Sequence, residues 1–220
     1  MLGPGFGGSC HPRVVRVKIC GVTRPGDADL AARLGAWAIG VVVLFPDSAR
    51  SVDMARARSI VGAVARRAET VAVMVQPTPR EAAEVVAEAG FSMVQLHGGD
   101  VAAVREAAGV PVIRAVAGEA SRGRRPPTAA AEGDLLLVDG GRPGSGEPWP
   151  WARGLDVPRA ESTPLVVAGG LEPANVREAL RALDRRAFAL DVSTGVEASP
   201  GVKDPARVAA FLREAGVVAA

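Results

Sequence analysis

Two hydrophobic patterns alternate along the chain. Short runs of Val, Ile, Leu and Ala recur between longer stretches in which apolar residues return every three or four positions. The first pattern suits strands buried on both faces, and the second suits helices with one apolar side. The runs predict strands at 14–19, 38–44, 70–75, 93–96, 112–116, 135–138, 165–168 and 187–192. Helices are expected over 25–34, 53–65, 101–108, 173–183 and 205–214, and another opens at Thr78. There Thr78-Pro79-Arg80-Glu81 combines a capping box with proline at the first helical position. Thr23 is a candidate cap for the first helix, and Gly35 its stop.

Eight strand–helix units in one chain predict an α/β fold, a single-domain (β/α)₈ TIM barrel over residues 14–220. Two units are weak. The connection through 122–127 is proline-rich, which confines any helix to 128–132, and only a poor helix is expected around Trp151. An open doubly wound sheet is the alternative, but no G-x-G-x-x-G turn follows the first strand. Residues 1–13 are Gly-rich, lack an apolar signal core and read as a flexible leader containing Cys10.

Composition narrows the setting. The chain has 220 residues, 48% hydrophobic and 23% charged, with a formal net charge of +2. Opposite charges are interspersed, so no basic stripe marks a nucleic-acid surface. No apolar run approaches the roughly 20 residues of a membrane span. Two cysteines do not make a disulfide framework, and a reduced, cytoplasmic setting is expected. Lysine occurs only at Lys18 and Lys203, among many arginines. Either the composition has drifted toward Arg, or lysine stands where a compact point charge is needed.

In this fold, function sits at the C-terminal ends of the strands. The first strand ends in Cys20-Gly21, the second leads to Arg50, the fourth to His97-Gly98, and the sixth ends at Asp139. The seventh leads to Gly169-Gly170, and the eighth ends at Asp191 before Ser193-Thr194-Gly195. The last two loops are the usual phosphate site of such barrels, and glycine lets backbone N–H groups approach an anion; a tight βα turn is the alternative for Gly169-Gly170. Asp139, at a partly dry barrel mouth, suits a general acid, or it caps the loop that follows. Lys18 shares a strand face with Cys20, so its ammonium would favour the thiolate; otherwise Cys20 is a small buried residue. Arg50 suits a two-pronged carboxylate clamp or a solvated helix start. His97 reads as a lining residue rather than a catalyst. No cluster of ligands suggests a metal.

Several ordered motifs together resemble the phosphoribosylanthranilate isomerase family of tryptophan biosynthesis. They are Val17-Lys18-Ile19-Cys20-Gly21-Val22-Thr23, Val94-Gln95-Leu96-His97-Gly98, Gly144-Ser145-Gly146 followed by Trp151, Ala168-Gly169-Gly170-Leu171-Glu172-Pro173-Ala174-Asn175-Val176, Asp191-Val192-Ser193-Thr194-Gly195-Val196-Glu197 and Gly201-Val202-Lys203-Asp204. The resemblance runs from about residue 15 to the last helix. It implies a cofactor-free Amadori rearrangement of N-(5-phosphoribosyl)anthranilate, an aldose–ketose isomerisation, with Asp139 as general acid and Cys20 as general base. It further implies that Arg50 holds the anthranilate carboxylate, that Gly169, Gly170, Ser193, Thr194 and Gly195 hold the phosphate, and that Asp191 orients the sugar, with Lys18 and His97 beside it. The span from Gly40 to Arg50 is one residue longer than the family pattern, and Thr194 stands where a second serine is more frequent. The partner expected is a small phosphorylated substrate, and monomer and homodimer both stay open. A related isomerase of histidine biosynthesis is disfavoured, because it needs an aspartate where Cys20 stands. A non-catalytic phosphate-binding barrel is disfavoured because the acid–base pair is present.

Overall fold

The computed structural model describes residues 15–118, 133–140, 149–157, 163–184 and 186–217. The expected leader, the segments at 122–127 and 128–132, and Gly144-Ser145-Gly146 lie outside these residues. Eight strands form the barrel: β1 (Arg16–Ile19), β2 (Ala38–Val43), β3 (Glu69–Val75), β4 (Met93–His97), β5 (Val112–Ala117), β6 (Leu135–Asp139), β7 (Leu165–Ala168) and β8 (Ala189–Val192). All neighbours are parallel, and β1 pairs with both β8 and β2, which closes the sheet on itself. Among the described residues six helices pack outside: α1 (Pro25–Arg33), α2 (Met54–Val64), α3 (Pro79–Ala89), α4 (Val101–Ala108), α5 (Val176–Ala182) and α6 (Pro205–Glu214). A 3₁₀ turn at Trp151–Asp156 occupies the place of a helix after β6. An antiparallel hairpin, Glu197–Ser199 with Val202–Lys203, follows β8.

Alternation along the strands makes two cores. Val71, Val73, Met93, Ile113, Leu135, Leu137 and Val166 fill the barrel interior. Their neighbours Val17, Ile19, Ile39, Val41, Met74, Leu96, Val138 and Leu190 point outward against the helices, with Phe211 and Leu212 from α6. Both faces of each strand are therefore dry, which is why the strands read as unbroken apolar runs. Complete burial of each such side chain contributes roughly 1.5–3 kcal/mol. Among the described residues no helix is long and apolar enough to cross a membrane.

Side-chain caps start most of the helices. Thr78 and Glu81 form the reciprocal box that opens α3, and Asp53, Asp100 and Asp204 cap α2, α4 and α6. Two expectations are corrected. Thr23 does not cap α1; Arg24 holds that position without a side-chain bond, while the Thr23 hydroxyl donates to the Gly201 carbonyl at 2.5 Å. Nor does the helix after β7 begin at Pro173. Asn175 accepts from the Glu172 amide and donates to the Gly170 carbonyl, which spends residues 173–175 on shaping the loop.

Candidate active site

The strand ends converge on one cavity of about 440 Å³ at the C-terminal mouth of the barrel. Cys20, Arg50, His97, Asp139, Gly169, Gly170, Asp191, Ser193, Thr194 and Gly195 all line it. Lys18, the remaining sequence-predicted residue, is completely buried beneath its floor. Apolar walls come from Val42, Phe45, Val73, Val75, Leu137 and Leu171.

The floor is set by β1 and β8. Lys18 and Asp191 are register partners across this strand pair, and Lys18 Nζ donates to Asp191 Oδ1 at 2.9 Å. Burial alone would depress the Lys18 ammonium; the Asp191 carboxylate and the Cys20 sulfur more than offset it, so it stays charged. Lys18 favours the Cys20 thiolate, as its place on the same strand face implies, but it does not set the net shift. The ammonium does pull the thiol down, but burial and the nearby Asp191 charge push it up by more. The free protein therefore holds a thiol. Space for the sulfur comes from Gly40 on β2, where a Cβ would lie 2.9 Å from Cys20 Sγ and 3.0 Å from Lys18 Nζ.

Asp139 ends β6, which β8 and β7 separate from β1 around the barrel. Burial, and then the Asp191 charge, raise its carboxyl to about 6, against the opposing pull of the Gly140 amide and Lys18. Such a group still carries a usable proton near neutrality. His97 is held below its ordinary range by burial and then by Lys18, so it is neutral. Its Nε2 lies 2.9 Å from Gln95 Nε2. Gln95 Oε1 is the one buried side-chain polar atom without a partner among the described residues.

Arg50 enters from the long loop after β2, which leaves the strand through Leu44 in a left-handed conformation (φ 55°). Its guanidinium is not bare. Nε and Nη2 donate to Glu197 Oε1 and Oε2 at 2.8 and 2.7 Å. Glu197 also accepts from Lys203 Nζ at 2.9 Å. Sequence reasoning placed neither Glu197 nor Lys203 in the site. The turn residues Pro200-Gly201 between them were the available signal, because a hairpin there sets Glu197 opposite Lys203.

The β7 and β8 loops close the far side. Gly169 and Gly170 adopt φ of 97° and 62°, which suits glycine at both positions. Trp149 and Trp151 donate their indole N–H groups to the Ala168 and Gly169 carbonyls at 2.9 and 2.8 Å. Those bonds hold the loop backbone from behind, and Trp149 is a third residue the sequence reading did not place in the site. Ser193 Oγ donates to the Cys20 carbonyl, tying the β8 loop to the end of β1.

A closed (β/α)₈ barrel that gathers a carboxyl, a thiol and glycine loops at its C-terminal mouth has the layout of a barrel enzyme's active site. Comparison with known proteins specifies which. The family profile described as N-(5'-phosphoribosyl)anthranilate (PRA) isomerase matches residues 17–214, and the chain belongs to this family, whose reaction is the aldose–ketose Amadori isomerisation of tryptophan biosynthesis. An N-(5'-phosphoribosyl)anthranilate isomerase of Azotobacter vinelandii is 40% identical over 205 residues, covering 91% of this chain and 97% of that one. The crystal structure of phosphoribosyl anthranilate isomerase from Thermus thermophilus superposes with a TM-score of 0.77 at 37% identity, covering 92% of this chain and 98% of that one. Another isomerase structure, in complex with reduced 1-(o-carboxyphenylamino)-1-deoxyribulose 5-phosphate, has a TM-score of 0.73 at 32% identity and covers 92% and 98%.

Proposed function

We propose that this protein rearranges N-(5-phosphoribosyl)anthranilate to 1-(2-carboxyphenylamino)-1-deoxyribulose 5-phosphate, with Asp139 as general acid and Cys20 as general base. The observation that carries this assignment is the pairing, in one cavity, of a carboxyl raised to about 6 with a buried thiol beside an ammonium. Asp139 protonates the furanose ring oxygen, and the ring opens to a Schiff base. Cys20, as thiolate, removes the proton from sugar C2. The enolamine then tautomerises to the ketone. The adjacent iminium acidifies that C–H bond, so a thiolate is base enough.

The reactive form carries its proton on Asp139 and its charge on sulfur, whereas the dominant one-proton form has the reverse. These two forms hold the same number of protons, so their ratio does not change with pH between the two titrations. Lys18 raises the share of the reactive form by stabilising the thiolate.

Recognition follows the shape of the cavity. Gly169, Gly170, Ser193, Thr194 and Gly195 hold the phosphate through backbone N–H groups and hydroxyls. Arg50 grips the anthranilate carboxylate, Asp191 orients the sugar hydroxyls, and the unspent Gln95 carbonyl accepts from a substrate N–H or O–H. His97 lines the site as a neutral ring. A cytoplasmic setting fits the free thiol of Cys20. A homodimer has a precedent in the dimeric enzyme of Thermotoga maritima. The test is the anthranilate-type fluorescence of the substrate, followed with purified protein and no added cofactor. Loss of that signal at an enzymatic rate is expected; an unchanged signal overturns the assignment.

A further inference from the structure

Three charged residues stand at one corner of the cavity, and only Arg50 faces into it. Glu197 lies behind Arg50 with 4% of its side chain exposed, and Lys203 lies behind Glu197 with 2% exposed. One carboxylate between two cations leaves a single positive charge in excess, and the cation at the cavity wall is the guanidinium. Both carboxylate oxygens of Glu197 are engaged: Oε1 accepts from Arg50 Nε and Lys203 Nζ, and Oε2 from Arg50 Nη2. Burial would raise its carboxyl, but these bonds hold it below its ordinary range.

The edge of Arg50 that Glu197 occupies is informative. It takes the Nε–Nη2 side and leaves the Nη1–Nη2 end. Among the described residues no group bonds Nη1. The stem of Arg50 is fixed as well, because its Cδ rests 2.6 Å from where a Cβ of Gly21 would stand. A guanidinium gripped on its side edge and packed along its stem presents its end fork in one orientation, the geometry for two parallel bonds to a carboxylate. Lys203 Nζ also donates to the Ser193 carbonyl at 3.1 Å, which joins the same buried carboxylate to the β8 loop.

We propose that Glu197 is a positioning residue for substrate selection: it aims the Nη1–Nη2 fork of Arg50 at the carboxylate of the substrate and, through Lys203, fixes the distance from that fork to the phosphate loop. This rests on the reading that Arg50 grips the anthranilate carboxylate. It separates two jobs within one salt-bridge cluster, with Arg50 touching the substrate and Glu197 acting only through Arg50.

Steady-state kinetics on Arg50→Ala, Glu197→Gln and the double variant test it. Glu197→Gln is expected to raise KM about tenfold and to change kcat less than about threefold, the loss of a charge-assisted contact rather than of chemistry. In the double variant the KM should equal that of Arg50→Ala alone, because Glu197 has nothing left to aim. Glu197→Asp, which keeps the charge and draws the oxygens back by one methylene, should raise KM in the same direction and serves if Glu197→Gln loses its helical circular dichroism. A raised KM in Arg50→Ala with an unchanged KM in the folded Glu197 variant overturns the positioning role alone. So does a double variant whose KM increases multiply. An unchanged KM in Arg50→Ala overturns the assignment of Arg50 itself, and the role of Glu197 with it.

Discussion

The two lysines of this chain are both buried against carboxylates, yet they face different problems. Lys18 lies under the cavity floor, fully buried, with a single anionic partner in Asp191 and with Cys20 beside it. Lys203 lies outside the cavity, and its partner Glu197 is shared with Arg50. Asp191 lines the cavity, whereas Glu197 does not. A buried ion pair is seldom a net gain over apolar packing, so its presence asks for another reason. At the floor the proposed base gives an electrostatic reason: the ammonium pulls the Cys20 thiol down against its burial. At the rim the proposed positioning role gives a geometric one, since a pre-aimed guanidinium would lose less freedom on binding a carboxylate. Both lysines of the chain thus stand in buried ion pairs at or beside the cavity.

The contrast is sharpened first by removing each ammonium. Lys18→Met leaves Asp191 buried and unpaired, and should cost about 3–5 kcal/mol of stability in urea unfolding. Lys203→Met leaves Glu197 still bound twice by Arg50, and should cost nearer 1–3 kcal/mol. Equal losses would erase the distinction between floor and rim.

A smaller perturbation adds one methyl group to either neighbourhood. Gly40→Ala drives a Cβ against Cys20 Sγ and Lys18 Nζ. Overpacking of this kind costs about 1–3 kcal/mol, and here it should appear as a lowered kcat. Gly21→Ala places its Cβ against the Arg50 stem, at a residue with φ 69°; it should appear mainly as a raised KM. The opposite assignment of the two effects would contradict the division of labour.

The subtlest expectation is the pH profile. Below about 6 both Asp139 and Cys20 are protonated, so the one-proton form disappears and kcat/KM falls. Above 6 kcat/KM is level, and it falls again only as the Cys20 thiol titrates above its ordinary range. The acidic limb should move upward in Lys18→Met, because the ammonium helps to hold Asp139 down. It should stay in place in Lys203→Met. Profiles recorded by initial-rate fluorescence would show both limbs.

Local chemistry explains what was legible in advance. The β7 strand at 165–168 and the α4 helix at 101–108 coincide with expectation, because an apolar run bounded by turn residues and a helix between Asp100 and Gly109 carry their own punctuation. The strand ends named the lining residues, since alternation fixes which side chains face the mouth. What sequence reasoning missed is non-local. The Thr23 hydroxyl spends itself on a carbonyl 178 positions away, and Arg50 meets Glu197 across 147. The net shift of Cys20 was not legible for a related reason: proximity to Lys18 is visible along one strand, whereas burial and the opposing charge of Asp191 come from barrel closure.

Whether Asp139 and Cys20 act as an acid–base pair is read from the turnover of N-(5-phosphoribosyl)anthranilate by Cys20→Ala and Asp139→Asn, each checked for a native circular dichroism spectrum. The kcat of each is expected to fall by about 10²–10⁴-fold. A folded variant of either kind that retains full turnover would contradict that pairing.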